Sequence, residues 1–179
     1  MGTSTCHDIK RSKNQNESDS ELEKENNKKG NNYIQQFLNN HNKLRKKHRT
    51  PSLKMNDSLN KRAQEHAKNL FNSTKIYSNF TLNKKALGEN ILLSNKNLSP
   101  EEICREWYNE NKKYNYNSQK IQKDTIHFTQ LVWKNSKEVG FGFIKDGNKT
   151  CAVALYYPSG NIFGEFEDNV KSPYHKNDS

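Results

Sequence analysis

The chain is poor in cysteine, with only Cys6, Cys104 and Cys151 in 179 residues. Small secreted domains are stabilised by disulfides, which use cysteines in pairs. Because the count is odd and Cys6 lies in the N-terminal tail, the cysteines favour a reducing compartment over an oxidising one.

Long apolar runs are also absent. No stretch is long and apolar enough for a signal peptide or a membrane span, least of all residues 1–32. We therefore expect a cytoplasmic protein. An extracellular protein stays open as the alternative, because a start codon assigned too far downstream would leave a signal peptide out of the sequence.

Hydrophobic residues make up 30% of the chain and are concentrated after residue 33, where a core can form. The length allows one ordinary domain and a tail. Residues 1–30 are rich in Ser, Asn, Glu and Lys without periodicity, which predicts a disordered leader. We expect the domain over residues 31–170 and a short tail over 171–179, with no internal repeat.

Positive charge is in excess, with a formal net charge of +10. Residues 1–30 carry six basic and six acidic side chains, so the excess belongs to the domain. Residues 31–75 hold ten Lys or Arg against Asp57 and Glu65, which leaves +8. This balance favours an anionic membrane surface or another acidic partner, although codon bias also explains why lysine outnumbers arginine by 25 to 5. Nucleic acid is not expected, because no zinc-finger spacing or basic-helix dimer pattern accompanies the charge.

The first six residues offer a route to a membrane. Gly2 follows the initiator and is succeeded by small uncharged residues, as in N-myristoylated proteins, although Cys6 replaces the usual Ser or Thr. Cys6 is itself a candidate for palmitoylation. One acyl chain binds marginally, whereas a second chain or a basic patch makes anchoring stable. An unmodified terminus is the alternative.

Helical patterns cover much of the domain. Apolar residues step at three and four from Tyr33, which predicts an amphipathic helix ending near Arg49. Asp57 is predicted to cap a second helix, with His66 as a structural residue on its apolar stripe. A third helix is predicted to begin with a capping box made by Ser99, Pro100 and Glu102.

Strand patterns follow near the C-terminus. Apolar residues at 139, 141 and 143 alternate with Gly140 and Gly142, so the glycine face of this strand must accept something close to its backbone. Asp146-Gly147 predicts a hairpin turn, and residues 151–157 are apolar on both faces, as in a covered central strand. Helices on both faces of a small antiparallel sheet predict an α+β fold, a three-layer α-β-α sandwich.

The most informative segment is His127-Phe128-Thr129-Gln130-Leu131-Val132-Trp133. Its two polar residues, His127 and Gln130, lie within an otherwise apolar helical turn that Thr125 is predicted to cap. Residues four apart share a helix face, so His127 lies above Leu131 and is directed toward packed structure. A core histidine with satisfied hydrogen bonds is the alternative.

Four further segments accompany this one. They are Tyr156-Tyr157-Pro158-Ser159-Gly160-Asn161, Gly88-Glu89-Asn90, Trp107-Tyr108-Asn109-Glu110, and His41-Asn42-x-x-Arg45-x-x-His48-x-x-Pro51-x-Leu53. In this order and at these separations, the segments resemble the CAP superfamily, named for cysteine-rich secretory proteins, antigen 5 and the plant pathogenesis-related 1 proteins. The resemblance covers roughly residues 31–170 and is greatest for the intracellular, Golgi-associated branch. It implies the same α-β-α sandwich.

Members of this superfamily place two His and two Glu in a central cleft, and in several of them the two His hold a divalent metal. The resemblance assigns Glu89, Glu110 and His127 to three of these positions. The fourth position reads Tyr77-Ser78, so one imidazole is missing. Zinc sites usually need three or four ligands, chiefly imidazole or thiolate, and we expect no cofactor and at most weak zinc binding through His127. Accompanying motif positions are Phe128, Gln130, Trp133, Tyr157, Pro158, Gly160 and Asn161.

No motif marks a Ser or Cys as a nucleophile, and Cys104 and Cys151 are predicted to pack in the core. The superfamily as a whole is also better described as a group of binding modules than as a group of enzymes. The sequence therefore predicts a non-enzymatic binding module for an anionic or sterol-containing membrane surface, with a protein partner or a homodimer also open. The alternative is a secreted CAP protein with weak metal-dependent hydrolase activity or an extracellular target.

Overall fold

The computed structural model describes residues 30, 32–73, 87–118 and 120–174. Gly2, Cys6 and Tyr77 lie outside the described residues. Residues Met1–Tyr33 and Ile34–Ser179 form separate units, and the fold below is that of the second unit. None of the described helices is long and apolar enough to cross a membrane.

Helices and strands alternate as far as the third helix, which is followed by a 3₁₀ turn and a fourth helix, then by two consecutive strands and a last short helix. The elements are α1 (residues 32–47, of which 34–47 belong to this unit), β1 (Lys54–Met55), α2 (Asp57–Asn72), β2 (Gly88–Ser94), α3 (Pro100–Asn109), a 3₁₀ turn (Glu110–Lys113), α4 (Ile126–Val132), β3 (Glu138–Asp146), β4 (Lys149–Tyr157) and α5 (Phe166–Asn169).

Four strands form one sheet in the order β1-β3-β4-β2. The pairs β3–β4 and β2–β4 are antiparallel, which confirms the predicted hairpin and the central position of β4. Two residues of β1 pair in parallel with β3, a pairing that is too short for a sequence pattern to reveal.

The two faces of the sheet are covered by different helices. Helix α2 packs on one face, where Gly140 and Gly142 allow close approach: a Cβ on Gly142 would lie 2.1 Å from the Ala63 carbonyl oxygen. Helices α1, α3 and α4 contribute to a separate core that includes Phe37, Trp107 and Phe128. The structure is thus the predicted α-β-α sandwich, with the glycine face in the predicted role.

Helix ends follow local capping rules with one correction. The capping box at α3 is present as predicted, with the Ser99 side chain accepting from the Glu102 amide and Glu102 accepting in return. The cap of α2 is Asn56 and not Asp57, since the Asn56 side chain accepts from Leu59 N at 3.1 Å. Either residue type caps well, so the sequence alone does not separate two adjacent candidates.

Candidate functional site

The site is built around a contact between Glu110 and His127. Glu110 begins the 3₁₀ turn after α3, and His127 lies in the first turn of α4. Glu110 Oε1 is 2.6 Å from His127 Nδ1, and the side chains are 20% and 31% exposed. Two of the residues assigned by resemblance are therefore brought together in a partly solvated position.

Glu110 also caps α4 from another element. Its Oε2 accepts from His127 N at 2.9 Å and from Phe128 N at 3.0 Å. Thr125 occupies the N-cap position as predicted, but its side chain makes no capping bond and donates to Gln122 O. A carboxylate at a helix N-terminus is favourable because it accepts from unpaired amides and meets the positive end of the helix dipole.

These contacts fix the charge of Glu110. Burial alone would raise the pKa of its carboxyl, but hydrogen bonds from the His127 side chain and from the backbone of Phe128 and His127 outweigh burial, and the pKa is lowered. Because Glu110 is then a carboxylate, His127 Nδ1 must donate to it. His127 Nε2 makes no hydrogen bond to another described residue, so this nitrogen is available to bind a ligand.

Glu89 is directed elsewhere. Its Oε2 lies 3.2 Å from Nε2 of His66, which is on α2, so His66 contacts a carboxylate in addition to packing on its helix. The next residue, Asn90, faces α4 and donates to His127 O at 2.9 Å. Successive residues of a strand point to opposite faces, which explains why Asn90 and not Glu89 reaches the helix that carries His127.

Asn90 belongs to a buried chain of hydrogen bonds. Its amide also donates to the Tyr156 hydroxyl at 3.2 Å, and Tyr156 lies 2.8 Å from His41 Nε2. His41 Nδ1 donates to the Phe37 carbonyl at 2.9 Å. Burial, partly opposed by this backbone bond and reinforced by Arg45, lowers the pKa of His41 to about 3, so the ring is neutral and Nε2 accepts from Tyr156.

The remaining motif residues fasten α4 to the end of β4. Gln130 Oε1 accepts from Gly160 N at 2.8 Å, and a Cβ on Gly88 would lie 2.0 Å from the same oxygen. Thr129 donates to Asn161 Oδ1 at 2.6 Å, and the Pro158 carbonyl accepts from Ser136 at 2.8 Å. Trp133 is buried, whereas Tyr157 is 38% exposed. These residues determine where His127 is held.

Arg45 is a correction to the predicted basic surface. Its guanidinium is fully buried and donates to four backbone carbonyls, those of Pro51, Leu131, Trp133 and Ser136. Burial lowers the pKa of Arg45 to about 10, with an opposing contribution from Tyr156, so it stays charged at neutral pH. One of the ten cations between residues 31 and 75 is therefore structural.

The described side chains do not fit a zinc ion. No group of three or more His, Cys, Asp or Glu residues is arranged to hold a metal among residues 30, 32–73, 87–118 and 120–174. Both oxygens of Glu110 are occupied by donors, and Glu89 contacts His66. This leaves His127 Nε2 as a single imidazole ligand, where zinc usually takes three or four.

The two cysteine thiols among the described residues are poor nucleophiles. Cys104 and Cys151 are buried and free. Burial, reinforced by Glu101, raises the pKa of the Cys104 thiol, and burial raises that of Cys151 to about 11. Since the thiolate is the reactive form, both residues serve packing, as predicted.

A second feature is a cleft of about 310 Å³ between α1 and α3. Its lining includes Lys43 and Lys47 from α1 and the apolar surface of Leu44, Cys104 and Tyr108. Glu101 and Arg105 of α3 also line it and form an ion pair at 3.6 Å. Lys47 Nζ lies 5.4 Å from the centre of the Tyr108 ring. The cleft therefore combines apolar side chains with an excess of positive charge, three cations against Glu101.

Comparison with known sequences identifies related proteins. A model of the "CAP: Cysteine-rich secretory protein family" matches residues 38–157. "Golgi-associated plant pathogenesis-related protein 1" of Homo sapiens is 34% identical over 142 residues, which cover 77% of this chain and 92% of that protein. "Protein PRY2" of Saccharomyces cerevisiae is also 34% identical, over 75% of this chain but 40% of its own length.

Solved structures agree on the fold. Venom allergen-like protein 4 of Schistosoma mansoni superposes with a TM-score of 0.63 at 23% identity, covering 80% of this chain and 96% of that one. The crystal structure of NaASP2 with Zn²⁺ gives a TM-score of 0.59 at 22% identity, covering 78% of this chain and 85% of that one. At these identities the likeness concerns the fold.

Proposed function

Because this chain belongs to the CAP, or cysteine-rich secretory protein, family, we propose that it is a CAP-domain binding module that associates with anionic membranes and has no hydrolase activity. The observation that carries the proposal is the cationic side of α1. By this name we mean Lys43, Lys46 and Lys47 of α1 together with Arg49 in the turn that follows it, and all four side chains are exposed. Residues 31–56 contain no Asp or Glu, and the acidic side chain that lines the cleft with Lys43 and Lys47 is Glu101 of α3.

Electrostatics make this surface suited to lipid. Each Lys or Arg near an anionic leaflet contributes about 1 kcal/mol of attraction. The cleft between α1 and α3 adjoins these cations, and its apolar side chains and net positive lining suit an amphiphile with an anionic head group. Anionic or sterol-containing membranes are therefore the partner class we favour; a protein partner or a homodimer is the competing one.

The location follows from the same argument. The human relative is named as Golgi-associated, and a cytoplasmic face of an internal membrane is an anionic surface. Gly2 would add one acyl chain and Cys6 a second, and either one combined with the cationic side of α1 gives two signals for stable anchoring. We accordingly propose a peripheral membrane protein of the cytoplasm.

The Glu110–His127 pair is assigned a supporting role in this proposal. A carboxylate–histidine pair can act as a general base, but the described thiols are buried and no third metal-binding side chain joins the pair within the described ranges. Zinc in the NaASP2 crystal structure is a property of that protein. In this chain Tyr77 stands where the family's first His would be, so we propose that zinc affinity is weak. A secreted protein with weak metal-dependent hydrolase activity is the less favoured alternative.

Sedimentation of the full-length, unacylated chain with vesicles tests the proposal. Binding should require anionic lipid and weaken as salt rises, because exposed charges are screened beyond about 8 Å at physiological ionic strength. Vesicles of neutral lipid alone are the control. Equal, salt-insensitive binding to neutral and anionic vesicles, or no binding to either, would refute electrostatic membrane association.

A further inference from the structure

Two adjacent apolar side chains are exposed in the turn between β4 and α5. Ile162 is 42% exposed and Phe163 is 76% exposed, the largest value for a large hydrophobic side chain in the part of the molecule that the structure describes. Ile126, at the start of α4, is 47% exposed. We name Ile126, Ile162 and Phe163 together the apolar tip.

The apolar tip is held in place by hydrogen bonds at its base. Asn161 Nδ2 donates to Ile126 O at 2.9 Å, and Asn161 Oδ1 accepts from Thr129 at 2.6 Å. Asn161 and Gly164 have positive φ values of 58° and 82°, so the chain reverses around Ile162 and Phe163. Beyond the turn, Phe166 is buried against Trp133, with ring centroids 5.2 Å apart. Exposure of Phe163 is therefore imposed by an anchored turn.

The apolar tip is too small for a stable protein interface. A Phe side chain buries about 150–250 Å², and three partly exposed side chains supply at most a few hundred Å². A specific protein interface needs about 800 Å² from each partner. Insertion into the interfacial region of a bilayer, by contrast, needs a shallow apolar projection supported by electrostatic attraction.

Charge supports a bilayer as the occupant. The segment after the apolar tip is fastened to the cationic end of α1, since Lys171 O lies 2.6 Å from His48 Nδ1 and Tyr174 N donates to Lys47 O at 2.8 Å. Lys123 and Lys134 flank α4 and are exposed. Glu165, Glu167 and Asp168 follow the apolar tip, so the charge next to it is mixed. Attraction to an anionic bilayer therefore comes from the positive charge of the domain as a whole, in a chain of formal charge +10.

We propose that the apolar tip inserts into the interfacial region of an anionic bilayer while the cationic side of α1 attracts the head groups. This inference rests on the proposed membrane association and adds a defined insertion point to it. Ile162 and Phe163 contribute apolar contact, and Asn161 acts as a positioning residue that presents them.

Partition of the full-length chain into vesicles of mixed neutral and anionic phospholipid tests the inference. Phe163→Ser should weaken partition roughly tenfold, because the buried apolar area is lost, and should leave its salt dependence unchanged. Leu93→Ser is the matched control, since Leu93 is 38% exposed and pairs near the opposite end of β4. Partition of the Leu93→Ser control into the vesicles should stay within about twofold of wild type. Phe163→Trp should add fluorescence emission that shifts to the blue on vesicles.

The possible outcomes separate the two ideas. If wild type binds anionic vesicles and Phe163→Ser binds equally well, the insertion inference is overturned while the membrane proposal stands. If wild type does not bind, both are overturned. If Phe163→Ser converts a wild-type dimer to a monomer in light scattering without changing vesicle binding, the apolar tip is a surface for a second copy of this chain and the inference is again wrong.

Discussion

At the residue scale, the Glu110 carboxylate accepts three hydrogen bonds: one from the His127 imidazole and two from the backbone amides of His127 and Phe128 in the first turn of α4. A single side chain thus neutralises a helix end and orients a histidine. The resemblance assigned Glu110 and His127 to one cleft, and the structure places them in contact. Nothing in the sequence indicates that Glu110 would also replace the side-chain cap expected from Thr125, because this contact joins elements that are distant in sequence.

Glu89 and Asn90 show that a sequence motif does not determine where its side chains point. Both belong to Gly-Glu-Asn, and a motif records residue types without saying which face of a strand each one occupies. Alternation along β2 turns Glu89 toward His66 and Asn90 toward α4. The contact of Asn90 with α4 could have been predicted by placing the motif on a strand with one face toward the His127 helix. Of the four cleft positions, Glu110 and His127 are in contact, Glu89 contacts His66 instead, and Tyr77 lies outside the described residues, so its place in the cleft stays a prediction.

The buried His41 ring predicts a pH dependence of stability. Burial lowers its pKa from 6.5 to about 3. The unfolded chain therefore takes up a proton between these values that the folded chain does not, so stability is complete above pH 6.5 and falls as the pH drops toward 3. His41→Gln keeps a hydrogen-bond donor and an acceptor but does not titrate. It should reduce the slope of the free energy of unfolding against pH by up to about 1.4 kcal/mol per pH unit in this range.

Urea denaturation at several pH values measures the effect. Wild type is the reference. Burial also lowers the pKa of His48, so His48→Gln should reduce the pH dependence in the same direction and serves as a second test. Parallel curves for wild type and His41→Gln would show that His41 does not remain neutral in the folded protein.

At the element scale, the packing of α2 on β3 depends on two glycines. A Cβ at residue 142 would lie 2.1 Å from Ala63 O and 2.5 Å from Gln64 N, both backbone atoms that move only with the helix. Gly142→Ala should therefore destabilise the domain by about 1–3 kcal/mol through overpacking. The midpoint of urea denaturation measures this.

Gly147→Asn serves as the control for that substitution. Gly147 has a positive φ of 53°, a Cβ at this residue would meet no atom within 4 Å, and Asn tolerates this conformation. The denaturation midpoint of this variant should change little. Equal stability of Gly142→Ala and wild type would mean that α2 lies farther from the strand than the structure places it.

Elements were predictable where local chemistry decides them. The alternating glycines, the Asp146-Gly147 turn and the α3 capping box have local signatures, and all three are present. The parallel pairing of β1 and the burial of Arg45 depend on distant backbone groups. No pattern within either segment specifies those partners, and a count of charges does not distinguish a buried arginine from an exposed one.

At the scale of the whole molecule, one sheet separates two environments. The face under α2 holds the His66–Glu89 contact, and the face under α1, α3 and α4 leads through Asn90 to the Glu110–His127 pair. Family membership and the sandwich fold could be read from five ordered motifs. The ligand could not be read from the sequence, because the residues proposed to bind it form a surface that no sequence motif describes.

The central claim, that the cationic side of α1 binds anionic membranes, is tested most directly by charge reversal. Lys43→Glu with Lys46→Glu should weaken binding of the unacylated full-length chain to anionic vesicles at least tenfold, at about 1 kcal/mol per basic residue, and should reduce its salt dependence. Lys61→Glu with Lys68→Glu makes the same change in net charge on exposed positions of α2 and should cost much less. Equal losses for the two pairs would contradict a binding role for α1 and leave only net charge.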